Sequence, residues 1–392
     1  MVHVPTPARV VLAGVHGHGR WHLRNLARQA AAGRARLVGV CDPRPPTADL
    51  AGQLADVPRS DTLAAALERH APDIAILCTP IHTHLELATQ AMAAGVHVLL
   101  EKPPAPTRDE HLVLRDAAVA AGVACQIGFQ SFGSEAVEAA RRLVADGALG
   151  ELHGIGVAGA WIRGDAYYAR AAWAGRRMLD GRPVVDGALT NPFAHATATA
   201  LRIDGSDGVD GGFRNLHLEL FHANDIEADD TSCLTGTTSR GTRLSVAVTL
   251  CSPSHVEPYL LLQGSRGWMQ VFYKTHRLRT ALDGVEREVV HDDVDLLDNL
   301  LDHLGDQRTT LLAPVERTLG FAQVIDAVRH APEPRPIDPP YARWVEDEAG
   351  PRVVVDGIDV TVQRSARERA SYADLGLPWA RAAADSTTKA AS

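Results

Sequence analysis

The chain has 392 residues, 45% of them hydrophobic, and a formal net charge of −9, a balance typical of a globular protein. An acidic chain of this kind argues against nucleic acid as its main partner, and no apolar run approaches the ~20 residues that span a bilayer. The five cysteines are scattered and form no CxxC pair, which disfavours a disulfide framework or a structural zinc site. We therefore expect a soluble, cytoplasmic protein of two domains.

The first 130 residues alternate short apolar runs with helical patterns. The predicted strands cover residues 9–13, 37–41, 73–78, 96–100 and 123–127. The predicted helices cover residues 20–32, 61–69, 82–94 and 107–121. Short, continuously apolar strands separated by helices indicate a parallel sheet that is covered on both faces.

The pattern changes after Gly128. A helix is predicted over 134–146, and strand-like runs then follow one another without helices between them, at 213–222, 242–251, 259–263 and 268–275. This succession is typical of an antiparallel sheet; helices return at 292–304 and 314–330. We predict domains at 1–130 and 131–380 and a flexible tail at 381–392. An open sheet face in the second domain would need covering, which favours a homodimer or homotetramer.

A glycine-rich loop follows the first predicted strand, with the sequence Gly14-Val15-His16-Gly17-His18-Gly19. Glycines occupy the first and third positions of the G-x-G-x-x-G dinucleotide fingerprint, and His16 occupies the second. The backbone N–H groups of such a loop bind a pyrophosphate at a helix N-terminus. Asp42, after the second predicted strand, would bind the adenosine ribose, whereas Arg44 could meet a 2′-phosphate. The loop therefore predicts NAD or NADP as cofactor, with NAD slightly favoured.

Polar residues also follow the next two predicted strands. Thr79 and Pro80 come after one strand, and Glu101 and Lys102 come after the next. Ligands bind at this edge of an open parallel sheet. A lysine at a strand end before two prolines is poorly explained as a surface charge. Burial can lower the pKa of such a lysine, which can then hold or polarise a substrate hydroxyl.

Taken together, these motifs resemble the Gfo/Idh/MocA family, named after glucose-fructose oxidoreductase and inositol dehydrogenase. The resemblance covers about residues 9–205 and rests on His22 after the loop, Thr79-Pro80-x-x-x-His84, Ala94-Gly95-x-His97-Val98, Glu101-Lys102-Pro103 and Gly128-Phe129-Gln130. It implies an α/β fold, with an N-terminal Rossmann parallel sheet and a C-terminal α/β domain whose large, open sheet is mostly antiparallel.

The resemblance also implies a function. It points to NAD(P)-dependent hydride transfer between nicotinamide and a secondary alcohol of a sugar, glycoside or cyclitol, with Lys102 in the catalytic position. Together with the glycine-rich loop, the family motifs imply cofactor contacts from Thr79, Pro80, His84, Glu101, Lys102 and Gln130.

Family members carry Asp-x-x-x-His in a helix of the second domain, and this chain has Asn191 and His195 at those positions. Asn191 is a good N-cap and Pro192 a good first helical residue, so we predict a helix from there to about Arg202. A neutral His195 could take the alcohol proton directly or through Lys102, while Lys102 stabilises the developing alkoxide. Asn191 can orient the substrate or His195 but cannot act as a general acid or base.

Aromatic and basic residues precede this helix. Aromatic faces suit the apolar faces of a pyranose, and arginine suits hydroxyl or carboxylate groups. Substrate contacts are therefore predicted for Arg163, Tyr167, Tyr168 and Trp173, in addition to Asn191 and His195. For Arg163, Tyr167, Tyr168 and Trp173, the alternative is that they only pack as part of a loop over the sheet.

Two other functions remain open at this level. The first is a non-catalytic regulatory protein that senses NAD(P) or a sugar, which the asparagine at position 191 permits. The second is a metal-dependent hydrolase, because His-x-His occurs at 16/18 and at 82/84. The antiparallel second half does not favour a barrel, so we predict no metal and a small sugar or polyol as the partner. Within the family, a retained cofactor recycled between two substrates is a third possibility.

Overall fold

Two β-sheets organise the computed structural model, which describes residues 6–348 and 350–381. From residue 382 on, the predicted tail lies outside the described residues. None of the helices in the described part of the chain combines the length and the apolar character needed to cross a bilayer.

The first sheet is parallel and doubly wound, with strand order 3-2-1-4-5-6, which confirms the predicted parallel sheet. Its strands are β1 (Ala8–Ala13), β2 (Ala35–Cys41), β3 (Arg59–Ser60), β4 (Ile74–Leu77), β5 (His97–Leu100) and β6 (Cys125–Ile127). Its helices are α1 (Gly19–Ala31), α2 (Ala48–Ala51), α3 (Leu63–His70), α4 (His84–Ala93) and α5 (Arg108–Ala121). The order reverses between β1 and β4, and ligands of such sheets bind at this switch point.

The second sheet has nine strands in the order 16-15-14-13-7-12-11-10-17 and is mostly antiparallel, as predicted. Its strands are β7 (Leu152–Ile162), β10 (Phe213–His222), β11 (Thr231–Thr238), β12 (Arg243–Thr249), β13 (Cys251–Gly264), β14 (Gly267–Phe272), β15 (Arg277–Leu282), β16 (Val285–Val290) and β17 (Arg335–Pro336). Two short hairpins accompany it, β8 (Met178–Leu179) with β9 (Arg182–Pro183) and β18 (Ala342–Asp347) with β19 (Gly350–Val355). The helices of this part are α6 (Glu135–Ala145), α7 (Asp165–Tyr168), α8 (Ala194–Asp204), α9 (Leu296–Gly305), α10 (Leu319–His330) and α11 (Ile358–Glu368).

The central strand β7 is rich in glycine, and the sequence did not predict it. A Cβ at Gly156 would lie 1.8 Å from the carbonyl oxygen of Ala366 in α11. A Cβ at Gly159 would lie 2.5 Å from the ring of Phe193. The two glycines therefore allow a helix and an aromatic ring to approach the strand closely, a use of glycine that lowers the strand signal in a sequence.

The centre of one face of the second sheet is covered by a later helix of the same chain. Helix α11 packs on β7, β12 and β13. Val362 and Ala366 of this helix, together with Tyr372, belong to a buried apolar cluster with Ala158 and Ala247 of the sheet. We expected an open face that a partner subunit would have to cover, but here the chain itself covers the centre of that face. The open sheet face therefore no longer supports a homodimer or homotetramer, and the oligomeric state stays a prediction.

Candidate active site

The glycine-rich loop joins β1 to α1 at the switch point of the parallel sheet. Gly14 has a φ of +85°, and a Cβ there would lie 2.0 Å from the carbonyl oxygen of Cys78. A Cβ at Gly19 would lie 2.1 Å from the carbonyl oxygen of Gly14. The first and third fingerprint positions therefore accept only glycine. At Gly17, by contrast, nothing lies within 4 Å of the Cβ position, so the loop is open there.

The loop also has backbone donors to offer. The N–H group of Gly19 donates to the carbonyl oxygen of His16 at 3.0 Å. Within the described ranges, the N–H groups of His16, Gly17 and His18 have no hydrogen-bond acceptor. Unpartnered amides at the start of a helix bind phosphate groups, so these residues fit the pyrophosphate of a dinucleotide.

Gly19→Ala should weaken dinucleotide binding and lower the free energy of unfolding by about 1–3 kcal/mol, because its methyl group overlaps the Gly14 carbonyl. Titration with NADH and urea unfolding measure the two effects. Gly52→Ala is the matched control, since nothing lies within 4 Å of its Cβ position. Unchanged NADH affinity in Gly19→Ala would contradict this interpretation of the loop.

Asp42 lies directly after β2 and is 4% exposed. Its Oδ2 accepts a hydrogen bond from the N–H of Val15 at 3.1 Å, and its Oδ1 accepts one from the N–H of Arg44 at 3.0 Å. The Arg44 side chain is largely exposed, with its Nε 3.6 Å from Oδ1 of Asp42. His16 has its Nε2 3.9 Å from Oδ2. The predicted acidic residue therefore contacts the glycine-rich loop directly.

Thr79 and Pro80 lie just beyond β4, and His84 begins α4. The Nε2 of His84 lies 2.8 Å from the carbonyl oxygen of Thr79, and its Nδ1 lies 2.9 Å from that of Pro103. Burial lowers the pKa of His84. This histidine links the end of β4 to the segment that follows Lys102.

The Glu101 carboxylate is a buried acceptor that brings several predicted cofactor residues together. Its Oε1 lies 2.9 Å from Nε2 of His22, 3.4 Å from Nε2 of His18 and 3.1 Å from Nε2 of Gln130. Its Oε2 accepts a hydrogen bond from the Lys102 N–H at 3.3 Å. Burial raises the pKa of Glu101, but the bonds from the two histidines outweigh it and hold the pKa well below its usual value.

The histidine pairs considered for a metal centre do not converge. Among the described residues, His18, His22 and Glu101 form the only group of three potential ligands close enough to share an ion. His22 joins this group although it belongs to neither His-x-His pair, and a hydrogen bond already ties it to Glu101. Both nitrogens of His84 face backbone carbonyl oxygens, so this histidine is not available as a ligand.

Lys102 extends from the end of β5 to the second half of the chain. Its Nζ donates hydrogen bonds to Asn191, to the side-chain Oδ1 at 2.7 Å and to the backbone oxygen at 3.0 Å. Burial lowers the pKa of Lys102, whereas the charges of Glu101 and Asp186 act in the opposite direction. The neutral amine is therefore easier to reach here than at a surface lysine.

Asn191 connects Lys102 to a buried carboxylate. Its Nδ2 donates to Oδ1 of Asp186, whose Oδ2 accepts from Arg170 at 2.8 Å and from the N–H of Gly175 at 2.9 Å. Because an ionised carboxylate only accepts hydrogen bonds, the amide nitrogen must face Asp186 and the amide oxygen must face Lys102. Asp186 was not among the predicted site residues. Its closeness in sequence to Asn191 was the one signal available.

The prediction that Asn191 caps the following helix was wrong. Helix α8 begins at Ala194, and its N-cap residue is Phe193. Residues 191–193 form a turn, and Pro192 lies in that turn. The Asn191 side chain is not available for capping because Lys102 and Asp186 use both of its polar atoms.

His195 is the second residue of α8, near the helix N-terminus as predicted. Its Nδ1 lies 3.4 Å from the Ser131 hydroxyl, which accepts a hydrogen bond from Thr199 at 2.9 Å. Its ring packs edge-on against Phe129, with centroids 5.6 Å apart. Burial, together with the charge of Lys102, lowers the pKa of His195 to about 3. The imidazole is therefore neutral, and its Nε2 has no hydrogen-bond partner among the described residues.

The predicted substrate residues form a stack of rings and guanidinium groups. Arg163 lies over Tyr167, 5.2 Å from the ring centroid, and over Trp161 at 4.9 Å. Arg170 lies between Tyr167 and Trp173, at 3.7 and 4.6 Å from their centroids. Trp161 was missed by the sequence analysis because it lies inside the glycine-rich strand β7. The stack adjoins Asp186 through Arg170.

Tyr168 behaves differently from its neighbours. Its ring packs edge-on against Tyr167 at 5.2 Å, and its hydroxyl is buried without a hydrogen-bond partner among the described residues. Burial, together with the charge of Asp230, raises its pKa. The enclosed hydroxyl favours packing, the alternative considered for this segment.

Sequence comparisons agree with the geometry of the first third of the chain. The Gfo/Idh/MocA model, described as an oxidoreductase family with an NAD-binding Rossmann fold, matches residues 8–129. The chain is 33% identical to D-glucoside 3-dehydrogenase of Escherichia coli over 118 residues, which cover 30% of this chain and 34% of that protein. It is 28% identical to scyllo-inositol 2-dehydrogenase (NAD(+)) of Bacillus subtilis over 144 residues, 36% of this chain and 42% of that protein. The matches therefore span less than half the length of these curated relatives.

Solved structures share the fold over most of this chain. The WlbA dehydrogenase from Bordetella pertussis, in complex with NADH and UDP-GlcNAcA, superposes with a TM-score of 0.69 at 21% identity, covering 86% of this chain and 99% of that one. The aldose-aldose oxidoreductase from Caulobacter crescentus, complexed with glycerol, gives a TM-score of 0.65 at 20% identity, with 82% and 96% coverage. At such identities the likeness concerns the fold. The match over residues 8–129 goes further and confirms the resemblance found in the sequence: this part of the chain is similar to the Gfo/Idh/MocA family of NAD-binding oxidoreductases.

Proposed function

We propose that the protein is an NAD(P)-dependent dehydrogenase acting on a secondary alcohol of a sugar, glycoside or cyclitol. One observation carries the proposal. A buried lysine, Lys102, lies at the strand edge beside a dinucleotide-binding loop and bonds to Asn191, and a neutral histidine, His195, lies four residues further on, within electrostatic range of the lysine. The glucoside and inositol dehydrogenases among the relatives support the same substrate class.

The roles of the side chains follow from their bonds. The charged form of Lys102 uses two of its three N–H donors on Asn191, which leaves one for the substrate oxygen. That bond strengthens as alkoxide character develops. In the neutral form, the lone pair takes the place of that third N–H and can accept the hydroxyl proton. The Nε2 of His195 accepts the hydroxyl proton, directly or through a neutral Lys102. Asn191 holds the Lys102 ammonium group in place and takes no part in proton transfer. When bound, the nicotinamide supplies the hydride acceptor or donor.

The cofactor proposal favours NAD over NADP. The buried Asp42 carboxylate lies at the end of β2, where an acidic residue binds ribose hydroxyls and repels a 2′-phosphate. Arg44, the residue that could receive such a phosphate, lies close to Asp42 instead. We place the division between the cofactor and substrate domains near residue 130, just after β6, and take the partner to be a small molecule.

A substrate panel tests the function. The protein is mixed with NAD or NADP and with neutral sugars, sugar acids, glucosides and inositols, and the absorbance of reduced nicotinamide is followed. We expect turnover of at least one compound, faster with NAD. Tight dinucleotide binding without turnover across the panel would instead support the sensing protein, and stoichiometric zinc without dinucleotide binding would support the hydrolase.

A further inference from the structure

Two cations flank Trp161, near the end of β7. The Arg163 guanidinium lies 4.9 Å from the centre of the indole, and Nζ of Lys274 lies 4.8 Å from it. His255 stacks on the same ring, with centroids 6.3 Å apart. The indole Nε1 is buried and has no hydrogen-bond partner among the described residues. This group combines positive charge with an unused donor.

Trp161 packs against the start of the helix that carries His195. Its ring lies 4.5 Å from that of Phe193, which directly precedes the helix that carries His195. The charge of Lys274 also contributes to the lowered pKa of His195, so this lysine lies within electrostatic range of the imidazole. Arg163 and Arg170 both stack on Tyr167, so this ring connects Arg163 to the arginine that is paired with Asp186.

The two cations lack the carboxylate partners that neighbouring arginines have. In the described part of the chain, neither Arg163 nor Lys274 lies within salt-bridge distance of an acidic group, and Arg163 donates only to the backbone oxygen of Ile162. Arg170, by comparison, is paired with Asp186. The nearby Glu257 accepts a hydrogen bond from Thr275 and lies 3.6 Å from Arg277.

An anion would complete this arrangement. Two positive charges around one indole repel each other, and an anionic group bound beside them offsets that repulsion. Guanidinium and ammonium groups both bind carboxylate or phosphate oxygens through charge-assisted hydrogen bonds. The indole can meanwhile stack on a sugar face or donate its free N–H.

We infer that the substrate of this site is an acidic sugar, whose carboxylate or phosphate is bound by Arg163 and Lys274 beside Trp161. The inference rests on the proposed function and narrows its substrate class. Lys274 and Trp161 act in specificity, whereas Lys102 and His195 act on the reacting alcohol.

The test measures binding, so that it does not depend on turnover. Protein saturated with NADH is titrated calorimetrically with glucose, glucuronate and glucose 6-phosphate, three ligands that differ mainly in their charged group. We expect one of the two acids to bind at least about tenfold more tightly than glucose, since a hydrogen bond to a charged group is worth ~1.5–3 kcal/mol. If glucuronate binds more tightly, the bound anionic group is a carboxylate; if glucose 6-phosphate does, it is a phosphate.

Two variants connect the preference to these residues. Arg163→Gln and Lys274→Gln should each weaken binding of the preferred acid about tenfold more than binding of glucose. Arg279→Gln is the matched control, because Arg279 is already paired with Glu288 at 3.0 Å. Equal or undetectable binding of all three ligands, or an acid preference that survives both variants, overturns the inference. Absence of turnover alone would count against the proposed function and not against the anion site.

Discussion

Lys102→Ala is expected to lower kcat/KM by about 10³-fold, the usual effect of removing a proton-transfer group or an oxyanion donor. The variant loses the only donor that we place on the reacting oxygen, and Asn191 loses its bonding partner. Steady-state kinetics with the best substrate of the panel measure the effect. Near-normal turnover would contradict the proposed mechanism.

Lys102→Arg separates two parts of this effect. Arginine keeps the positive charge and the N–H donors but does not give up a proton in the accessible pH range. If Lys102 carries the proton, Lys102→Arg should be nearly as impaired as Lys102→Ala. Recovery of most of the activity would instead assign the proton to His195 and leave Lys102 an electrostatic role. Thermal unfolding of both variants controls for loss of structure.

The second large effect concerns the pH profile of Asn191→Asp. Burial lowers the pKa of Lys102, whereas His195, with a pKa of about 3, stays neutral above that pH. If Lys102 takes the substrate proton, the acid limb of kcat/KM above that pH reports Lys102 losing its own proton. A carboxylate at position 191 would replace an amide oxygen 2.7 Å from Nζ. An opposite charge this close raises a lysine pKa by about 1–3 units, so the limb moves to higher pH by that amount, and kcat/KM at a fixed pH on the limb falls about tenfold or more.

Asp186→Asn should move the same limb the other way. The Asp186 charge raises the pKa of Lys102, so its removal lowers that pKa and the amine loses its proton at lower pH. The double variant Asp186→Asn/Asn191→Asp carries a single carboxylate, at position 191, and should shift the limb upwards without a contact between like charges. Shifts of the same sign in the two single variants would exclude control of Lys102 by the Asn191–Asp186 pair.

Most of the fold could be predicted where local pattern and burial coincide. The strand predicted at 9–13 is β1, and the one predicted at 213–222 matches β10 at both ends. These segments are continuously apolar or alternate apolar with polar residues, and turn residues lie at their ends. Strand β7 and helix α11 were not predicted. The glycines of β7 lower its strand signal, and they are explained only by the close approach of the α11 backbone, which the sequence does not show.

The candidate site could be predicted where a side chain follows a strand end in the parallel sheet. Lys102 and Glu101 are of this kind, since the carboxyl ends of parallel strands meet at one edge. The pairing of Asn191 with Asp186 was not predictable, because it depends on an irregular turn that no periodicity describes. Trp161 and Lys274 come from distant strands of the second sheet, and only the folded sheet brings them together.

The cover over the second sheet has a consequence for how the molecule is assembled. Helix α11 and the sheet belong to one polypeptide, so their association is unimolecular and, unlike a subunit contact, does not dissociate on dilution. Strands β7, β12 and β13 precede that helix by about a hundred residues or more, and chains are synthesised at roughly 5–20 residues per second. During synthesis the apolar face therefore stays exposed for several seconds before α11 is made. In this interval a chaperone can bind the face, and aggregation can compete with folding.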